Sequence, residues 1–267
     1  MSTPLTAFGY PGGKVRALNS LSHYLKRDFR EYREPFLGGA SVGLWIMQRN
    51  PHARYWLNEL FVPVYVFWKT LREHPEEMVR WLLRAEKQYQ HDTKGLYDFC
   101  RSTFDSSNEL EMACKEWILR KLTWGGMADK STYRTTKKFS KSAIVNLREL
   151  GDLLRAVDVK ITNLDYSECL SSSGEDVFIF ADPPYMIDSF LYGRNGELHR
   201  KFDHQEFSQR MKACTHDWLI TYNDCDEIRT WFADYFLDPL DMTYTLRSKR
   251  SAYELIITNY ELETGSI

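Results

Sequence analysis

Asp182-Pro183-Pro184-Tyr185 directly follows an apolar run, Val177 to Ala181. Two consecutive prolines fix two φ angles and remove two N–H donors, which leaves a rigid loop with free carbonyls. The Asp182 carboxylate and a proline carbonyl are both acceptors. Together they suit an exocyclic amino group, which offers two hydrogens. Tyr185 adds a flat face on which a base can stack. The loop stands at the carboxyl end of an expected parallel strand, where open α/β sheets place ligands. Asp-Pro-Pro is also a common strand exit, so a plain turn is the alternative for this segment alone.

Three other segments carry ligand-binding chemistry. Glu34-Pro35-Phe36-Leu37-Gly38-Gly39-Ala40-Ser41 joins an expected strand, Tyr32 to Phe36, to a helix, Val42 to Gln48. Glycines in that turn let backbone approach a ligand. Glu59 follows Gly39 by twenty residues, the distance at which an acidic side chain reaches ribose hydroxyls in nucleotide-binding βαβ units. The pattern is not G-x-G-x-x-G, so a ligand with a ribose and no pyrophosphate fits better. Tyr10-Pro11-Gly12-Gly13-Lys14 fails as a P-loop, since Phe8 and Val15 stand at required positions. What remains is a glycine loop with an aromatic ring and a lysine, or a simple turn. Asp165-Tyr166 after Val159 to Thr162 can hold an adenine and its amine, or serve as a helix N-cap. Asn223-Asp224 is equally ambiguous.

These loops need elements to hold them. Val177 to Ala181, Trp218 to Tyr222 and Val159 to Thr162 read as buried parallel strands, each followed by a helix-like stretch, which predicts an α/β sheet with crossovers. Met242 to Leu246 and Tyr253 to Asn259 read as a closing hairpin. From about residue 65 to 122 apolar residues such as Leu71, Met78, Trp81, Leu82, Ala85 and Tyr89 recur at helical steps. A helical insertion over 61–156 is therefore expected, inside an α/β domain made of 1–60 and 157–267.

Composition bounds the rest. The 267 residues are 43% hydrophobic and 27% charged, enough to bury a core and too ordinary for a fibre or disordered chain. The longest apolar run, Phe61 to Trp68, contains Pro63 and is too short for a membrane span. Met1-Ser2-Thr3-Pro4 carries no signal-peptide pattern. Five cysteines without C-x-x-C spacing fit a reduced, cytoplasmic protein. Histidine spacing gives no metal site. The net charge of −2 conceals an uneven distribution. Lys130, Arg134, Lys137, Lys138, Lys141 and Arg148 fall in one stretch with no acidic residue, and Arg247-Ser248-Lys249-Arg250 forms a second cluster. Such runs are solvated faces or phosphate contacts.

In order and spacing, Tyr10 to Lys14, Glu34 to Ser41, Asn58-Glu59, Asp165-Tyr166, Ala181 to Tyr185 and Thr221 to Asp224 resemble the Dam-like DNA adenine methyltransferases. The resemblance covers nearly the whole chain. Tyr253 to Ile257 also looks like that family's last strand. It implies an α/β fold with a Rossmann-like methyltransferase sheet, mixed with an antiparallel C-terminal hairpin strand, plus the inserted helical domain as a target-recognition unit. It implies methyl transfer from S-adenosyl-L-methionine to the amine of adenine in double-stranded DNA, with S-adenosyl-L-homocysteine as product. Tyr10, Gly13, Lys14, Glu34, Phe36, Gly38, Gly39, Glu59, Asp165 and Tyr166 would bind the cofactor, with Asp182 beside it. Asp182, Pro183, Pro184 and Tyr185 would hold a flipped adenine. Trp124, Lys130, Tyr133, Arg134, Lys137, Lys138, Lys141, Arg247, Lys249 and Arg250 would face DNA.

The resemblance departs at three places. Trp124-Gly125-Gly126-Met127 replaces the usual Asn-Gly-Leu after an aromatic, Asp129 stands where GATC-specific members carry a guanine-reading arginine, and Gly9 replaces a common lysine. A GATC target is therefore not implied. A monomer is expected, alone or beside a cognate restriction endonuclease. Rival readings meet specific objections. RNA-base or protein-amide methyltransferases more often carry Asn at position 182, and cytosine amino-methyltransferases Ser. A dehydrogenase lacks its glycine fingerprint. An inactive DNA-binding module would have no need of Asp182 to Tyr185.

Overall fold

In a computed structural model the described residues are 6–104, 107–128, 131–134, 139–186, 202–241 and 253–262. Seven strands form one sheet in the order β3-β2-β1-β4-β5-β7-β6. They are β1 (Glu31–Glu34), β2 (Arg54–Asn58), β3 (Asp158–Thr162), β4 (Val177–Ala181), β5 (Asp217–Asn223), β6 (Phe236–Asp241) and β7 (Tyr253–Thr258). β7 is antiparallel to both its neighbours, β5 and β6, and the remaining pairs are parallel.

The expected strand positions hold to within a residue or two, and the closing hairpin is the main difference. β7 pairs with Phe236–Asp241, whereas Met242 to Leu246 lies outside the described residues. Pro239 and two aspartates make that segment read as a turn. An outermost strand tolerates a proline, because one edge of its backbone needs no partner.

The central β4 is apolar throughout, whereas β3, expected as a buried strand, lies at the sheet's edge and buries only Val159. Phe178 and Phe180 enter one buried cluster, and Val177, Ile179 and Ala181 enter the other. Both faces are covered, so period-two alternation gives way to a continuous apolar run. On one face lie α9 (His204–Ala213) and α10 (Asp226–Trp231). On the other lie the short α1 (Leu18–Leu21) and α2 (Ser41–Met47) and the helices between β2 and β3: α3 (Val62–Glu73), α4 (Pro75–Gln88), α5 (Thr93–Ser102), α6 (Glu109–Leu122) and α7 (Lys141–Ala156). Prolines open α3 and α4, where the missing N–H costs nothing. Asp92, Asn108 and Ser140 cap α5, α6 and α7 through their side chains. These helices share one buried cluster with the sheet face. No helix among the described residues is long and apolar enough to cross a membrane.

The order 3-2-1-4-5 makes β1 and β4 the switch point. From there crossovers run outward in opposite directions, leaving a crevice at the strands' carboxyl ends. Glu34 ends β1, and Asp182 follows β4.

Candidate active site

A cleft of about 320 Å³ opens at this switch point. Tyr10, Gly13, Lys14, Glu34, Phe36, Gly38, Gly39, Glu59, Asp165, Tyr166 and Asp182 all line it. Segments spread over 170 residues of sequence are thus gathered by the ends of four parallel strands.

The turn after β1 is built for close approach. Gly38 has φ of +47°, and a Cβ there would lie 2.8 Å from the Tyr10 ring. Its N–H donates to Glu59 Oε2 at 2.8 Å, and Phe61 N–H donates to Oε1 at 2.8 Å. Glu59 therefore ties the β1 turn to the start of α3, while each oxygen keeps a second lone-pair position for a ligand hydroxyl. Burial raises its pKa. Asn58 clamps the neighbouring loops: its amide donates to the Pro35 and Leu164 carbonyls, and its oxygen accepts from Thr162 Oγ1 and Leu164 N–H. Sequence reading noted Asn58 without a role.

Glu34 is buried on the cleft floor. Tyr32 donates to its Oε2 at 2.9 Å, and Gly43 N–H also bonds it. Burial pushes its carboxyl up to about 8. Asp165 is an N-cap, the second of the two readings offered by the sequence. Its Oδ1 caps α8 (Tyr166–Ser171) by accepting from Ser167 N–H at 2.9 Å, and the residue also lines the cleft. Tyr166 stacks on Phe36, with centroids 5.4 Å apart and planes at 29°. Phe202 and Phe207 close around this pair. Phe202, Asp203 and Glu206 arrive from the start of α9. Their position depends on a crossover that local sequence does not encode.

At the β4 end, Lys14 Nζ donates to both Asp182 oxygens, at 2.8 and 2.7 Å, and to the Gly12 carbonyl at 2.7 Å. Thr221 Oγ1 donates to Asp182 Oδ1 at 2.8 Å. Glu254 Oε2 lies 3.7 Å from the same ammonium. Pro184 lines the cleft, Pro183 is buried, and the Tyr185 ring is half-buried with its centroid 5.1 Å from Lys14 Nζ. Tyr185 stacks on Tyr222 at 5.8 Å and 23°. Tyr222 bonds His204 Nδ1, and Asn223 brackets the Met186 backbone from both sides. The Thr221-Tyr222-Asn223 end of β5 thus buttresses the loop after β4.

The expected DNA-facing residues divide. Trp124 is exposed, and the Arg134 guanidinium lies 3.9 Å from its ring centroid. Lys141 is exposed at the start of α7. Tyr133 instead turns inward, against Tyr97 and bonded to Thr93. Lys130, Lys137, Lys138, Arg247, Lys249 and Arg250 lie outside the described residues. Arg120, which sequence reading passed over, pairs with Glu116, stacks on Tyr10 and donates to the Gly126 carbonyl at 2.8 Å. Among the described residues no cluster of three or more acidic, His or Cys side chains could hold a metal.

Residues 10–246 match the model of the D12 class N6 adenine-specific DNA methyltransferases. The chain belongs to that family. It is a DNA adenine N6-methyltransferase, and methyltransferases of this family use S-adenosylmethionine generally. One similar protein is the type II methyltransferase M1.LlaDCHI of Lactococcus lactis subsp. cremoris, 19% identical over 94% of each chain. Another is the type II methyltransferase M.MjaIII of Methanocaldococcus jannaschii, 20% identical over 66% of this chain and 67% of that one. The mixed seven-stranded sheet with its antiparallel β7 is a methyltransferase fold.

Proposed function

We propose that the cleft binds S-adenosylmethionine and that Asp182 to Tyr185 receive an adenine flipped out of double-stranded DNA. The supporting observation is that one cleft joins a stacked aromatic wall, an acidic lining and the Asp182 loop. Glu59, Asp165, Asp182, Asp203 and Glu206 face it against one lysine, Lys14, while burial keeps the Glu34 carboxyl on its floor protonated up to about pH 8. That balance suits a ligand carrying positive charge and disfavours a pyrophosphate. Tyr166 and Phe36 offer a face for the cofactor's adenine, Asp165 an acceptor for its amine, and Glu59 an acceptor for ribose hydroxyls.

Bound S-adenosylmethionine supplies an electrophilic methyl group on a sulfonium whose thioether is a good leaving group. The protein's task lies with the nucleophile. Asp182 and the Pro183 carbonyl accept the two amine hydrogens, which draws the nitrogen lone pair out of conjugation and directs it at the methyl. Lys14 and Thr221 fix the Asp182 carboxylate, so the rest is alignment. Transfer would leave S-adenosyl-L-homocysteine as the neutral thioether product, and the acidic methylated ammonium of the adenine would give its proton to water. Flipping costs roughly a few kcal/mol of unstacking. Stacking on Tyr185 returns about 1–3 kcal/mol. Tyr222, parallel behind it, holds that ring in place.

We assign target recognition to the 61–156 helices and phosphate contacts to the basic stretch 130–148. The protein works as a monomer, with or without a cognate nuclease. A cofactor titration followed by a methyl-transfer assay tests the reading. Asp182→Ala retains DNA binding and loses transfer. An Asp182→Ala protein that transfers methyl groups at the wild-type rate refutes it.

A further inference from the structure

We propose that Glu254, on β7, is a positioning residue that gives the Lys14 ammonium a second seat, so that Asp182 can accept the target amine. This rests on the adenine-amine role of Asp182 proposed above.

The problem is visible in the resting geometry. Lys14 is 1% exposed and grips both Asp182 oxygens at 2.7–2.8 Å, while Thr221 occupies a further position on Oδ1. An amine hydrogen arriving at Asp182 competes with a buried, bidentate, charge-assisted contact, which is among the stronger hydrogen bonds a protein makes. A lysine with Asp182 as its sole counter-charge would resist that exchange, because a buried ammonium that loses its partner is costly.

Glu254 removes that cost. β7 runs antiparallel between β5 and β6, which sets Glu254 opposite Asn223 on one side and Leu240 on the other. Its side chain is 2% exposed, and its Oε2 lies 3.7 Å from Lys14 Nζ. A displacement of about 1 Å converts that approach into a direct ion pair of ordinary length. The Gly12 carbonyl, 2.7 Å from Nζ, holds the ammonium at both positions. Lys14 thus has two carboxylates within reach. As the amine takes one Asp182 oxygen, the ammonium leans onto Glu254 and stays compensated.

A carboxylate buried for packing and one needed for its charge respond differently to substitution. Glu254→Gln keeps the shape and removes the charge. Glu254→Asp keeps the charge and shortens the reach. Single-turnover methyl transfer to unmethylated DNA, cofactor affinity and melting temperature are measured for both variants and for the wild type. The transfer rate should fall in the order wild type, Glu254→Asp, Glu254→Gln, with the glutamine variant slower by about ten- to a hundredfold, the size of losing one charged partner. Cofactor affinity should change less than about threefold, well inside that loss, and Glu254→Gln should melt at or above Glu254→Asp. A glutamine variant as fast as the aspartate variant, or faster, overturns the proposal. So does the loss of the folded state in both variants, which would assign Glu254 to stability. A wild type that transfers no methyl group to adenine overturns the adenine-amine reading together with this one, whereas an active wild type with the wrong rate order overturns this one alone.

Discussion

Glu34 gives the most direct link between the cleft and a solution measurement. Its carboxyl lies on the cleft floor, 3% exposed. Position 43 must be glycine for it to fit, since a Cβ there would stand 2.4 Å from Oε2. Burial raises the pKa from 4.5 to about 8. Between those values the folded protein holds a proton that the unfolded chain has released. The stabilising contribution is therefore complete below 4.5 and is lost as pH rises through about 8. Each unit of displacement is worth ~1.4 kcal/mol, so the whole window spans several kcal/mol. Glu34→Gln is neutral at every pH and still accepts from Tyr32 and Gly43. The difference in unfolding free energy, variant minus wild type, should thus grow by several kcal/mol between about pH 5 and about pH 8. Urea unfolding at a series of pH values reads it directly, and subtraction removes titrations common to both proteins. A difference that stays flat, or shrinks with pH, refutes the claim that Glu34 is buried in its neutral form.

Other outcomes follow from the same geometry. Gly126 has φ of +71°, and a Cβ there would lie 1.9 Å from the Gly9 carbonyl oxygen. Gly126→Ala should cost about 2–4 kcal/mol in chemical denaturation, whereas Gly9→Ala, with nothing within 4 Å of its added Cβ, should cost less than about 1 kcal/mol. Equal effects would contradict the packing of the Trp124–Gly126 turn on the amino-terminal loop. Tyr166→Ala should weaken S-adenosylmethionine binding by about 1–3 kcal/mol in calorimetry, the worth of one stacked base; unchanged affinity removes the aromatic wall from the cofactor site. Lys137→Ala with Lys138→Ala should reduce the slope of log affinity for DNA against log salt by about 2. An unchanged slope means those lysines touch no phosphate.

The parts of the molecule legible in its sequence are those where chemistry is local. Val177 to Ala181 is apolar throughout because both of its faces are covered. Asp182-Pro183-Pro184 is rigid by its own covalent structure, and Asp165 needs only its own turn to cap α8. What escaped depends on distant chain. Phe202 reaches the cleft's aromatic wall from the start of α9, within the connection between β4 and β5. Glu254 faces Lys14 only because β7 inserts between β5 and β6. Arg120 reads as one more polar residue on a helix until α6 is seen buried on all sides. Tyr133, set among basic residues in the sequence, turns inward because Tyr97 and Thr93 stand beside it. The strand Phe236–Asp241 was hidden for a local reason, since Pro239 punctuates an edge strand that tolerates it.

The central claim is that Asp182 presents an adenine amine to a methyl donor held in the cleft. Its most direct test is to incubate the purified protein with S-adenosylmethionine and fully unmethylated DNA, digest the DNA and weigh the nucleosides. The account predicts N6-methyladenine with the wild type and none with Asp182→Ala. Methylation on cytosine alone, or N6-methyladenine undiminished in Asp182→Ala, would contradict it.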